Sequence, residues 1–498
     1  MLTFDRDLQS RLSVALVVAL GAAAAGTAGV LVVSQFPQRL ATPALAVALS
    51  VLALTPALYA LIRRGDLFQP IVPIGLFFFL DFGMRTLLVE AGSELAEPFI
   101  FVNIEDTRGS AVALATLTLG LIYVGYYLPW WQRAVRRLPQ FSLTVPEGAP
   151  WLVLGLVYAV GVIARGVVLL DRGATFARLD LQERLTDDFN VLLQIGSFSQ
   201  FAVLLAGVYA FRPQGVRRGV LAAVLAVIVP VEMVFTVAFG SKHVVAVLLV
   251  GLAGLYNYRV RRLGGLPFLL AVAAAVVVTF GVVTIYRDRV HQGALQRPTD
   301  LASLATAPAA LAGELVEAGP EEILHAALRT LVNRQTAGET LSSILAYGDT
   351  VDLEMTGADL VLIPAFAFVP RAIWPEKPTP FSPRVSSAFR GVDGNRTSFG
   401  ITHTGDLFLR YGLAGVVIGS LMLGLLYRLL YGWLVNRPGA TAVGSVLYLA
   451  VLWRIIFVNA EVIPVYVQAI RSLVVGLGLV VLVAYAAQLS GRPGSRPT

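Results

Sequence analysis

Residues 363–381 read IPAFAFVPRAIWPEKPTPF, residues 400–412 read GITHTGDLFLRYG, and residues 413–431 read LAGVVIGSLMLGLLYRLLY. The first of these is too rich in Pro, Arg and Lys to cross a bilayer. The last is an apolar run, with Arg428 near its end, close to the ~20 residues that a helix needs to span the hydrocarbon core. A basic segment is therefore joined directly to the end of a predicted transmembrane helix, with His403, Asp406 and Arg410 at the junction. We take that junction as the floor of a candidate site.

The rest of the chain agrees with a membrane reading. Hydrophobic residues make up 57% of the 498 residues and charged residues 14%, against the usual ~45–50% and ~25%, and the mean hydropathy is +0.75. Apolar runs predict about 12 spans, at roughly 12–33, 40–62, 69–90, 109–130, 149–170, 190–211, 217–238, 242–260, 264–285, 403–432, 440–460 and 463–487. The first run exceeds the ~7–15 apolar residues of a signal-peptide core, so it is read as a helix. The fold expected is thus an all-α polytopic membrane protein in three parts: helices 1–9 over residues 1–285, a large loop domain with short amphipathic helices over 286–402, and helices 10–12 over 403–498. With no Cys in the chain, disulfides, thiolate metal sites and Cys nucleophiles are excluded.

Arginines set the orientation. Arg63 and Arg64, Arg133, Arg136 and Arg137, Arg212, Arg217 and Arg218, Arg259, Arg261 and Arg262, Arg428 and Arg437, and Arg492 and Arg496 fall in every second connection. Alternate connections are poor in Arg or acidic, as at Glu90, Glu94, Glu97, Glu105 and Asp106. The positive-inside rule then puts both termini in the cytoplasm and the 286–402 connection outside it. Long connections without structure are uncommon, so this one is expected to hold helices. Its first half, to residue 360, is acidic and reads as a solvated helical cap. In it, Ile323, Leu324, Ala327, Leu328 and Leu331 share a helical face. Its second half is basic and suited to an anion. All four His (His243, His291, His325, His403) and both Lys (Lys242, Lys377) map to the outer side.

Several groups stand out within this frame. Asp81 and Arg85, four apart in the third span, are expected to form an internal ion pair, and Glu232 to pair with an Arg of another helix such as Arg165 or Arg454. In the FGSKH turn, Lys242 either contacts a phosphate as a point charge or snorkels to the interface. Arg287 and Arg289 emerge on the acidic side against the charge rule, where they either meet carboxylates or bind an anion, and the latter is favoured. Arg371 offers a planar fork for phosphate. Trp374 either stacks on a sugar or anchors at the interface. No P-loop, GxSxG, HExxH or DxD signature occurs, and Asp349 and Asp352 read as part of a solvated helix end.

The turn GSKH, the segment IPAFAFVPRAIWPEKP and the Gly405-Asp406 pair leading into RYGLAGVVIG resemble the bacterial oligosaccharide repeat unit polymerases, the Wzy-type O-antigen and exopolysaccharide polymerases. The motif similarity covers about a third of the chain. The chain departs from the family pattern with Asp406 where Glu is usual, Phe408 where Tyr is common, and Lys242 where Arg is commoner. The resemblance implies a GT-C-like architecture in the bacterial cytoplasmic membrane and a metal-independent, cofactor-free glycosyl transfer from a polyprenyl-diphosphate donor to a sugar hydroxyl. For that chemistry His403 is the candidate general base, with Asp406 orienting it or substituting for it; the alternative is that His403 only caps or packs the helix entry. Lys242, Arg287, Arg289, Arg371 and Arg410 are the cations for the diphosphate, with Trp374 and His243 for the sugar. Partners implied are polyprenyl-diphosphate-linked oligosaccharides, membrane lipid, and chain-length regulator and flippase proteins, with no nucleic acid. Two rivals remain open at this point: an O-antigen-ligase-like transferase, and a flippase or exporter of lipid-linked sugars. The absence of repeated halves and the crowding of charge at the outer ends rank transport last.

Overall fold

The computed structural model describes scattered positions in 21–28 and then residues 38–96 (except 64), 104–139, 150–172, 187–239 (except 213 and 214), 243–295, 301–348, 369, 374 and 400–490 (except 438). It is mostly helical. The elements are α1 (Gln38–Ile62), α2 (Ile71–Glu90), α3 (Glu105–Tyr127), the short α4 (Trp130–Arg137), α5 (Trp151–Arg172), α6 (Asp187–Gly196), α7 (Phe198–Ala210), α8 (Arg218–Phe239), α9 (His243–Arg259), α10 (Leu266–His291), α11 (Leu301–Asn333), α12 (Ala337–Tyr347), α13 (Thr402–Leu434), α14 (Ala442–Ile455) and α15 (Val462–Ser490). A two-residue hairpin, Phe211–Arg212 with Gly215–Val216, links α7 to α8.

Among the described residues, eight helices are long and apolar enough to cross a membrane: α1, α2, α3, α5, α8, α10, α13 and α15. The stretch Gln194–Ala210 and α14 are shorter apolar helices. The expected span at 12–33 lies almost wholly outside the described residues.

The bundle is organised around α3. Buried residues make up 83% of its apolar window, against 17% for α8 and for α10, which lie at the periphery. Glycines let α3 meet α13 closely: Gly125 abuts the Leu421 carbonyl and Gly424 abuts the Ile122 carbonyl, leaving no space for a Cβ. Small residues at such contacts let helix backbones approach where lipid supplies no hydrophobic drive.

The helices α11 and α12 of the 286–402 connection behave differently. The segment α11 bends at Gly319 (φ 73°, ψ 171°) and lies along α10, where Ile323 meets Gly281 and the Thr284 and Thr330 hydroxyls are 2.7 Å apart. Ala327 is buried there, while Leu324 and Leu328 on the expected apolar face are exposed. By contrast, α12 is no solvated cap, contrary to the sequence reading. Residues Ala337 to Ile344 are all buried, and the helix is inserted against α2, α3 and α13. Its hydroxyls are satisfied within the helix: Thr340 donates to the Thr336 carbonyl, Ser342 to Gly338 and Ser343 to Glu339. This removes the cost of burying them.

Candidate active site

The start of α13 carries the candidate site. Thr402 begins the helix at φ 66°, a left-handed conformation that is strained for a β-branched residue, and its hydroxyl accepts a hydrogen bond from the Gly405 N–H at 2.8 Å. Gly400 sits directly against the Asn459 backbone. Gly412 (φ 60°, ψ −152°) interrupts α13, so THTGDLFLRY forms a short helix of its own ahead of the long apolar one. That backbone region is essentially restricted to Gly. The short helix packs on the turn joining α14 to α15, and this positions three side chains.

His403 is buried. Its backbone N–H donates to the Val458 carbonyl at 2.9 Å and its Nδ1 lies 2.8 Å from the Ala460 carbonyl. A carbonyl oxygen can only accept, so Nδ1 bears the hydrogen in the neutral ring and Nε2 bears the lone pair. Nε2 has no hydrogen-bond partner among the described residues. The Tyr466 ring lies alongside, with centroids 6.4 Å apart.

Asp406 does not touch His403. One carboxylate oxygen accepts from the Val462 backbone N–H at 2.8 Å and the other from Arg410 Nε at 2.7 Å. Asp406 therefore clamps the first residue of α15, and the orienting contact on the imidazole comes from Ala460 in the adjoining turn. The Arg410 side chain is only 2% exposed, and its Nε is committed to Asp406. The Thr404 hydroxyl, also buried, has no partner among the described residues.

A second buried group lies across α12. Arg85 donates to Glu339 Oε1 from Nε at 3.2 Å and from a terminal nitrogen at 2.6 Å. It also reaches the Val332 carbonyl at 3.1 Å and the Asn333 side chain at 3.0 Å. The expected Asp81–Arg85 pair does not form. Phe79–Met84 is a π-helical turn, and this wider turn rotates Arg85 away from its α-helical position relative to Asp81. Asp81 is left fully buried, with neither carboxylate oxygen hydrogen-bonded among the described residues. Sequence periodicity gives no sign of a π turn, so this group was out of reach of sequence reasoning.

Glu232 pairs with Arg165 through two bonds of 2.7 Å, and the guanidinium also stacks over Phe235 at 4.4 Å. Arg289 is ion-paired with Glu314 at 2.9 Å and lies 3.9 Å from Glu322, so carboxylates of α11 match its charge. Arg287 is half-buried near the end of α10, and His243 is the first residue of α9. His291 and His325 are exposed, and Trp374 is half-buried. Lys242, Arg371, Asp349, Asp352, Lys377, Arg384, Arg390 and Arg396 lie outside the described residues. Thus His403, Asp406 and Arg410 share the short helix at the start of α13, while Arg289, of the other expected cations that are described, faces carboxylates of α11. Among the described residues no three His, Asp or Glu side chains converge as metal ligands.

The opposite end of the bundle holds another buried carboxylate, Asp66. It accepts from the Phe68 N–H at 2.9 Å, from Asn257 at 3.0 Å and from the Tyr431 hydroxyl at 2.8 Å. Nearby, Arg428 donates to the Tyr126 hydroxyl and stacks over Trp131 at 4.1 Å.

The chain matches no family model, no curated protein and no solved structure.

Proposed function

We propose that this protein polymerises polyprenyl-diphosphate-linked oligosaccharide repeat units on the outer side of a bacterial cytoplasmic membrane. In this reading the chain crosses the membrane about 12 times. The additional crossings are 12–33, α6 with α7, α9, and α14. Both termini are cytoplasmic, and the 286–402 connection is periplasmic. Chain-length regulator and flippase proteins would work beside it.

The observation that carries the proposal is the His403 ring, held through Nδ1 by the Ala460 carbonyl so that Nε2 carries the lone pair and has no hydrogen-bond partner among the described residues. Neutral imidazole in this tautomer suits a general base. The acceptor hydroxyl gives its proton to Nε2 while its oxygen bonds to the anomeric carbon of the donor sugar. The bond from that carbon to the diphosphate oxygen breaks, its electron pair leaving with the polyprenyl diphosphate. Asp406 and Arg410 are positioning residues here, because they fix the α14–α15 turn that carries Ala460. The basic segment 363–399 supplies cations for the leaving group, and Arg371 is the principal candidate. Preorganised cations at developing charge are worth about 10²–10³ in rate for a single contact. No metal is needed in this scheme.

The test is glycan length in a strain lacking the protein. Single capped repeat units are the expected product. Long uncapped polymer would identify a ligase instead, and the absence of both would identify a flippase.

A further inference from the structure

The short helix α4 (Trp130–Arg137, WWQRAVRR) has two faces of opposite character. At 3.6 residues per turn, Trp131 and Val135 fall on one side and Arg133, Arg136 and Arg137 on the other. The first side is packed. The Trp131 ring and Val135 lie beside Gly432 of α13, where a Cβ would crowd both, and Arg428 stacks on the same ring at 4.1 Å. The chain leaving α4 is fastened too: Trp433 Nε1 donates to the Pro139 carbonyl at 2.8 Å and Arg437 to the Leu138 carbonyl at 2.9 Å. The helix is therefore a fixed platform on the end of α13.

The second side faces outward. All three arginines are exposed, and none makes a side-chain hydrogen bond or ion pair with a described residue. Trp130, next to them around the helix, is 65% exposed. The position of α4 in the chain fixes the level of this face. Only Leu128 and Pro129 separate it from α3, which is long and apolar enough to cross a membrane. The arginines thus sit where the apolar core of a bilayer gives way to headgroups.

We propose that the outward face of α4 binds the phosphate groups of anionic phospholipids in the leaflet it adjoins. Charge complementarity selects this occupant: three guanidinium groups lie within five residues, no described carboxylate is paired with them, and their planar forks match phosphate oxygens. The exposed Trp130 favours a lipid surface over an acidic protein, because an indole beside basic residues is the pattern of a helix lying in the headgroup layer. The proposal stands apart from the transfer reading and requires only that α3 crosses the membrane.

The test is titration of the purified full-length protein in detergent with phosphatidylglycerol and, separately, phosphatidylcholine, with bound lipid counted by native mass spectrometry. Phosphatidylglycerol is expected to bind more tightly, and the preference to shrink at high salt. The combined variant Arg133→Gln, Arg136→Gln, Arg137→Gln should lose about fivefold in affinity for phosphatidylglycerol per arginine, or about 10²-fold in all, the usual attraction of basic residues to an anionic membrane surface. Trp130→Ala should weaken both lipids by a smaller factor. The control is Arg217→Gln, Arg218→Gln, Arg261→Gln, which removes the same charge from exposed positions outside α4 and should keep the preference. Equal binding of the two lipids by the unaltered protein overturns the proposal, whether or not any variant folds. So does a loss in the control as large as in the α4 variant, which would make net charge the cause. Full competition by inorganic phosphate or by poly-glutamate overturns it as well, and would assign the face to a free anion or to an acidic protein.

Discussion

Asp66 and His403 are both buried polar groups at helix ends, and the protein treats them in opposite ways. At the Asp66 end, both carboxylate oxygens are engaged, by a backbone N–H, an amide and a phenol drawn from α9, α13 and the connection between α1 and α2. At the His403 end, the imidazole is held on one side only, while Nε2, the Thr404 hydroxyl and, across α12, both oxygens of Asp81 have no partner among the described residues. A fully satisfied network fixes one arrangement of helices, whereas a buried polar atom without a partner costs stability that packing must offset. On the proposed function, the difference separates a lock from a site: one end holds the bundle together, and the other leaves the atoms assigned to the reaction uncommitted.

The largest effect expected from this contrast is on rate. His403→Ala should lower transfer about 10²–10⁴-fold, the usual contribution of a general base, measured with purified protein and a lipid-linked donor. Its thermal midpoint should change little, since the main lost bond is to a single carbonyl. Asp66→Ala should do the opposite. It leaves the Phe68 N–H, Asn257 and Tyr431 without their acceptor, at about 1–3 kcal/mol for a buried unsatisfied group. A large drop in midpoint with normal transfer per folded molecule is expected. Loss of transfer in Asp66→Ala at unchanged stability would erase the distinction between the two ends.

Next in size is the backbone break that separates the short helix of the site from the long apolar one. Gly412 occupies a region that side chains strain to enter, and Gly412→Ala should cost about 1–3 kcal/mol. The strain would be relieved by re-aligning residues 402–411, so transfer should fall along with stability. Gly92, also at positive φ and, like Gly412, with open space around it but far from the short helix in sequence, is the control: Gly92→Ala should lose stability without loss of transfer. Equal loss of transfer in both would mean that the break at Gly412 plays no part in placing His403.

The helices themselves were legible in the sequence, because apolar runs of sufficient length carry their own signal. The reading anticipated Arg165 as one of two partners for Glu232, since a buried carboxylate in lipid calls for a cation. It placed α12 wrongly because the excess of Asp and Glu over the first half of the connection points to a solvated surface. Serine and threonine in a helix can return their hydroxyls to the preceding turn, and here Thr340, Ser342 and Ser343 all do. The partner of Arg85 was hidden for another reason. Glu339 is 254 positions away, and the π turn that turns Arg85 toward it leaves no mark on periodicity. At the candidate site the residue types were visible in HTGD, but the contact on His403 is a backbone carbonyl, and any residue at position 460 would supply one.

The smallest effect should come from Asp81, and for that reason it sharpens the comparison most. Asp81→Asn exchanges one carboxylate oxygen for an amide nitrogen of nearly the same size. At Asp66 the same exchange must disturb a filled set of donors, because Phe68, Asn257 and Tyr431 all present hydrogens to the two oxygens and one of those would become an NH₂ group. Asp66→Asn should therefore cost about 1–3 kcal/mol, as expected where a buried donor loses its acceptor. At Asp81 no bond to a described residue is lost. The replacement also removes any cost of holding an ionisable group in the bundle. The thermal midpoint of Asp81→Asn in detergent should equal or slightly exceed that of the unaltered protein. A drop comparable to that of Asp66→Asn would show that Asp81 is engaged after all, and that the contrast between the two ends lies in His403 alone.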